Sequence, residues 1–283
     1  MLKKLIFALT LGVLAGCSAQ LKERSFIVQD RQVSPYQADD IAKWQQGFDQ
    51  HKLREISITA DNGATVLYGL HLDHQDSNEM VFFIPGNGMK VAAGGIQALQ
   101  SFSGFDKDFV IFDRRGLGAS NGQASIANLV SDSVAQVHYI KEQLQAERII
   151  VHGFSLGSFV AGQVAKQARV DALVLQGSAT NVNDWIDVTT PWYMKPFLTI
   201  EVEEAFHSVD NKAVVAHDYT GPLLVIGGEN DQQAPVQLSE FLYQASQSDN
   251  KQLVIVEEAN HNNMFDSQET LNAYLKFLAS LDS

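Results

Sequence analysis

Two hydrophobic periods organise the chain. From Leu53 onward, Glu55-Ile56-Ser57-Ile58-Thr59 alternates polar and apolar positions, and residues 65–72 alternate again after Asp61-Asn62-Gly63. Such alternation marks strands with one face toward solvent, and the Asp-Asn-Gly step supplies the turn between them. Continuous apolar runs then appear at 80–84, 109–112, 148–151, 172–175, 223–226 and 253–256, separated by stretches of helix length. Strands of that kind are buried on both faces, as in a parallel sheet covered by helices. The pattern predicts an α/β fold: two antiparallel leading strands, then six βα repeats in a mostly parallel, doubly wound sheet of about eight strands.

Two segments depart from this rhythm. Residues 18–52 are polar and lack a clear period, which predicts a tether with a short helix near 39–48. Residues 180–218 form an insert too long for an ordinary connection between a strand and a helix, and such inserts are commonly lids. It carries Trp185, Trp192, Tyr193, Met194, Phe197 and Phe206. Of these, Trp185, Trp192, Tyr193 and Phe197 are candidate substrate contacts on a short helical lid. The alternative is that the aromatics pack against the body.

The first 17 residues read as a secretion leader. Lys3 and Lys4 precede an apolar stretch at 5–13 that is too short to span a bilayer as a helix. The leader ends in Leu14-Ala15-Gly16-Cys17, which resembles the lipobox of bacterial lipoproteins. The resemblance implies cleavage before Cys17, acylation of that residue, including by palmitate, and membrane attachment. Ser18 after the cysteine resembles the pattern sorted to the outer membrane in Gram-negative cells. A soluble periplasmic protein with an incidental cysteine is the alternative. Cys17 is the single cysteine, so the mature domain folds without a disulfide.

The remaining stretch, 53–283, suits one domain with one core. A formal net charge of −13 disfavours nucleic-acid partners and anionic lipid headgroups. No phosphate-cradling loop and no clustered ligand set is evident, so neither a cofactor nor a metal is expected. His71 and His74, three apart on a strand, point to opposite faces and make a poor metal pair.

The candidate chemistry lies at strand ends. Gly153-Phe154-Ser155-Leu156-Gly157 follows an apolar strand and opens a helical stretch, the setting that exposes a serine as a nucleophile. Asp231 follows the run ending in Gly228, and His261 follows the run ending in Val256. A serine hydroxyl needs a base, and the base needs a carboxylate to fix its tautomer. Asp231 is also placed to support the start of a helix at Pro235. Glu229, Asp184 and Asp187 are weaker alternatives for the acid.

Order and motifs together resemble the α/β-hydrolase superfamily, in the serine-hydrolase group of esterases, thioesterases, lipases and serine aminopeptidases. Beside the serine motif, Pro85-Gly86-Asn87-Gly88 resembles the oxyanion loop, with proline where a histidine is usual. Asp113-Arg114-Arg115-Gly116-Leu117-Gly118-Ala119-Ser120 resembles the turn after the next strand, and Asn260-His261-Asn262 resembles the histidine segment. The resemblance implies an acyl-serine mechanism with Ser155 as nucleophile, His261 as base and Asp231 as acid. Backbone N–H groups of Leu156 and Asn87 would form the oxyanion hole. It leaves open whether the substrate is an ester, a thioester or a peptide, and a non-catalytic envelope-binding protein is the reading from another class.

Overall fold

The apolar runs become strands because neighbouring side chains of a buried strand feed different cores. Phe82 packs on one face of the sheet, and Phe83 packs on the other. The computed structural model describes residues 17–282. The leader at 1–16 and the side chain of Cys17 lie outside the described residues.

Ten strands occur among these residues: β1 (Cys17–Leu21), β2 (His51–Ala60), β3 (Thr65–His74), β4 (Glu79–Ile84), β5 (Asp108–Phe112), β6 (Arg148–Phe154), β7 (Ala172–Gln176), β8 (Leu198–Val202), β9 (Leu223–Gly228) and β10 (Lys251–Val256). The α-helices are α1 (Glu23–Phe26), α2 (Ala38–Gln45), α3 (Ile96–Ser101), α4 (Ile126–Glu142), α5 (Leu156–Gln167), α6 (Val182–Thr189), α7 (Glu204–His207), α8 (Asn211–Ala213), α9 (Val236–Ala245) and α10 (Gln268–Ala279). None is long and apolar enough to cross a membrane.

Eight strands form one sheet in the order β10-β9-β7-β6-β4-β5-β3-β2. β2 and β3 are antiparallel, β3 is antiparallel to β5, and the remaining pairs are parallel. From β4 the chain steps to β5 on one side and later to β6 on the other. That reversal opens a crevice at the carboxyl ends of β4 and β6, where ligands of such sheets bind. Helices α4 and α5 cover one face through Leu129, Val137, Val160 and Val164. Leu99 of α3 and Tyr274 and Phe277 of α10 cover the other face.

The segment expected as a tether is tied down over this crevice. β1 pairs in parallel with β8 of the insert, with Cys17 opposite Leu198 and Leu21 opposite Val202. Farther on, the Asp30 N–H donates to Gly116 O at 2.8 Å, and the Ser34 N–H donates to Gly118 O at 2.7 Å. Backbone groups carry these links, so no side-chain period marks them. The helix expected near 39–48 is α2, shorter at its C-terminal end. The insert contains a strand as well as helices.

Candidate active site

Ser155 sits between the end of β6 and the start of α5 with φ 54° and ψ −120°. A non-glycine residue held in such a sparsely populated conformation costs about 1–3 kcal/mol and needs its surroundings to fix it. Here the Ser155 N–H donates to Gln176 O at 2.9 Å, and Ser155 O accepts from the Ser158 N–H at 2.9 Å. The flanking glycines let the turn close. A Cβ on Gly157 would lie 2.0 Å from Ile84 O, and one on Gly153 would lie 2.4 Å from Gly157 O.

Three loops bring the polar side chains to this turn. His261 Nε2 lies 2.8 Å from Ser155 Oγ, and His261 Nδ1 lies 2.6 Å from Asp231 Oδ2. With its Nδ1–H donated to the carboxylate, the imidazole presents Nε2 as an acceptor for the serine hydroxyl. Asp231 divides its two oxygens: Oδ1 accepts the N–H groups of Gln233 and Ala234 at 2.8 and 2.9 Å. It therefore shapes the turn before α9 while holding the histidine. The alternative carboxylates are engaged elsewhere: Glu229 with the Glu258 N–H, Asp184 with Thr180 and Lys212, Asp187 with Lys195.

Asn87 follows β4 and lines the same cavity as Ser155, Leu156 and His261. Neither the Asn87 nor the Leu156 N–H has an acceptor among the described residues. The Asn87 side chain is engaged through both its oxygen and its nitrogen. Its Oδ1 accepts from the Val28 N–H at 2.9 Å and from Arg114 Nη2 at 3.0 Å, and its Nδ2 donates to Phe26 O at 2.7 Å. Arg114 also donates to Val28 O at 2.7 Å. Arg114 and Asn87 thus clamp the N-terminal segment to the loop after β4. The reach of Arg114 to Asn87 and Val28 depends on an N-terminal segment with no visible sequence pattern. Burial lowers the Arg114 pKa to about 10, because desolvation of the guanidinium outweighs the attraction of Asp113 and Asp30.

The cavity is about 450 Å³, within the usual range for a small-molecule site. Leu21, Phe26, Phe159, Val182, Trp185 and Phe206 give it apolar walls, and Trp185 Nε1–H donates to Gln233 O at 2.8 Å. Of the four aromatic residues expected to meet substrate, only Trp185 lines it. Trp192, Tyr193 and Phe197 are 81%, 59% and 53% exposed and lie outside it. The reason is local. Thr190 precedes Pro191 and adopts φ −86°, ψ 118°, so α6 stops and the chain turns away before the aromatics are reached. Leu21 and Phe26 are lining residues that the sequence did not reveal.

His152 lies one strand position behind the elbow, completely buried among Phe83, Phe102, Phe265 and Tyr274. Its Nε2 is 3.0 Å from Gln176 Oε1, and the Tyr274 hydroxyl is 3.3 Å from its Nδ1. Desolvation lowers its pKa from 6.5 to about 3, only partly offset by Gln176. The unfolded chain therefore binds a proton near pH 5 that the folded chain refuses, and stability falls as pH drops below 6.5. The loss from this one group is about 2 kcal/mol near pH 5. Urea unfolding at pH 5 and pH 7.5 should show that increment shrinking in His152→Gln; an unchanged pH dependence would refute it.

At the opposite end of the sheet, His71, Asp73 and Asp108 offer ligand atoms within 4.8 Å of one another. Both carboxylates already have partners: Asp108 takes His71 Nε2 at 3.0 Å, and Asp73 pairs with Arg54.

A family model described as alpha/beta hydrolase fold matches residues 80–200. The esterase Pf2001 of Pyrococcus furiosus superposes with a TM-score of 0.68 at 18% identity, covering 90% of this chain and 99% of that one. Among curated relatives, the uncharacterized protein Rv2307c of Mycobacterium tuberculosis is 31% identical over 62% of this chain and 61% of its own. The lysophosphatidylserine lipase ABHD12 of Danio rerio is 26% identical over 60% of this chain and 47% of its own. The chain matches about half to three-fifths of the length of these curated relatives.

Proposed function

We propose that this chain, a member of the α/β-hydrolase superfamily, is a serine hydrolase that cleaves carboxylic ester or thioester bonds through an acyl-serine intermediate. The observation that carries the reading is the unbroken line from Asp231 Oδ2 through His261 to Ser155 Oγ, with contacts of 2.6 and 2.8 Å. His261 Nε2 takes the hydroxyl proton as Ser155 Oγ bonds to the substrate's carbonyl carbon. Asp231 stabilises the imidazolium that results. The Asn87 and Leu156 N–H groups, without other acceptors among the described residues, receive the negative oxygen of the tetrahedral intermediate. Losing one such donor typically costs about 2.7–4 kcal/mol of transition-state stabilisation. Collapse of the intermediate passes the imidazolium proton to the leaving alcohol or thiol. Water then repeats the sequence against the acyl-serine and releases the acid.

Two features favour an acyl ester over a peptide. The cavity walls are largely apolar, and among the described residues no acidic side chain lines them to bind the α-ammonium of a peptide N-terminus. The esterase and lipase names among the similar proteins point the same way. A fluorophosphonate probe should label the wild-type protein, and p-nitrophenyl esters should be turned over in preference to aminoacyl-nitroanilides. An unlabelled, inactive wild type would end the proposal. The lipobox-like leader supports placing the activity in the cell envelope on an acyl anchor at Cys17. Palmitate incorporation that Cys17→Ser abolishes would test that placement.

A further inference from the structure

We infer that the 192–197 segment docks the protein on a zwitterionic lipid bilayer and presents the mouth of the Ser155 cavity to that surface. Seven large hydrophobic side chains are exposed among the described residues, and four of them fall in this segment: Trp192, Tyr193, Met194 and Phe197. Scattered exposed apolar residues are ordinary, but a contiguous group marks a surface that meets something. Trp192 packs edge-on against Tyr193, with ring centroids 6.0 Å apart. Trp and Tyr beside a lysine, here Lys195, is the composition of a membrane–water boundary, where amphipathic rings sit among headgroups.

Topology identifies the occupant. β1 runs parallel to β8, with Cys17 opposite Leu198. The N-terminal end of β1, at Cys17, therefore lies at the same end as the residues preceding Leu198, which include the exposed aromatics. The sequence leading to Cys17 contains the apolar stretch 5–13 and the lipobox-like tetrapeptide. Either an acylated Cys17 or the leader itself would enter a bilayer beside Trp192 and Phe197. The net charge of −13 selects zwitterionic over anionic headgroups. The cavity is adjacent, because Trp185 and Thr189 of α6 line it and the chain reaches Trp192 three residues later. An acyl ester dissolved in the bilayer would need only a short path to Ser155. This delivery step rests on the serine hydrolase reading; the docking does not.

The test uses the full-length chain bound to phosphatidylcholine vesicles whose acyl chains carry bromine, a quencher of tryptophan fluorescence. Trp192→Phe should remove most of the bromolipid-quenched intensity, leaving the signals of Trp44 and Trp185. Equal quenching in the two proteins overturns docking. So does protection of Trp192 from aqueous iodide in lipid-free protein, which would show a second copy covering the segment. Trp192→Ser/Phe197→Ser should lower hydrolysis of a long-chain ester held in vesicles about tenfold, the effect of withdrawing two aromatic contacts. Turnover of a short soluble ester should stay unchanged. An unaltered vesicle rate, or equal losses on both substrates, overturns delivery. A wild type that hydrolyses neither ester refutes the hydrolase reading and with it delivery, while the quenching still decides docking.

Discussion

Ser155→Ala is expected to lower turnover of a short p-nitrophenyl ester about 10⁶-fold and to abolish fluorophosphonate labelling. The substitution keeps Cβ and the strained turn, so the β6–α5 elbow and its hydrogen bonds to Gln176 and Ser158 persist. Only the hydroxyl oxygen facing His261 is lost. His261→Ala should fall by a similar factor, and the double variant should be no worse, because the base has nothing to activate once the hydroxyl is gone. Asp231→Asn should cost about 10⁴-fold, since an amide no longer enforces the tautomer that leaves Nε2 free. The amide keeps an oxygen to accept the Gln233 and Ala234 N–H groups, so the turn before α9 should persist. Steady-state rates with matched circular dichroism spectra would check all four. Ser155→Ala activity within tenfold of wild type, free of wild-type contamination, would remove Ser155 from the chemistry.

Much of this site was legible because its parts stand at the ends of buried strands. A run such as 148–151 betrays β6 by its composition, and the next polar residues then lie at the rim. Ser155, Asp231 and His261 are brought together by that rule, although 106 positions separate the first from the last. What the pattern concealed depends on backbone rather than side chains. β1 is recruited by the main chain of β8, so the polar stretch after Cys17 gave no sign that Leu21 and Phe26 would wall the cavity. The placement of Trp192 failed for a different reason. An aromatic-rich insert reads as pocket lining until the backbone is followed through Thr190 and Pro191, where the helix ends and later residues face outward. Composition identified material for two surfaces, and a single proline separated them.

Asp132→Ala should destabilise the fold by about 3–5 kcal/mol, although Asp132 touches neither the cavity nor Ser155. Its partner Arg115 has a side chain only 4% exposed, in the turn after β5. Arg115 donates from Nε and Nη2 to the two Asp132 oxygens at 2.8 and 2.6 Å, and from Nη1 to Thr65 at 3.2 Å and to Asp61. The hydrogen bond to Asp132 is the largest cause of its raised pKa. Without that carboxylate the guanidinium would still be charged, because its intrinsic basicity lies far above neutrality. Alanine at 132 would strand that charge out of water, with the half-exposed Asp61 as its remaining carboxylate. Asp132→Asn keeps one acceptor and should lose less. Arg115→Met/Asp132→Leu removes both charges and should recover most of the loss, the behaviour that separates a stranded ion from a missing attraction. Urea unfolding of the three variants decides the matter. A loss below about 1 kcal/mol for Asp132→Ala would class the pair with exposed salt bridges instead. The effect should reach the site as well, because the neighbouring Arg114 in the same turn holds Asn87 in place. At urea concentrations where the Asp132→Ala chain is still folded, its kcat should therefore fall more than its affinity for substrate.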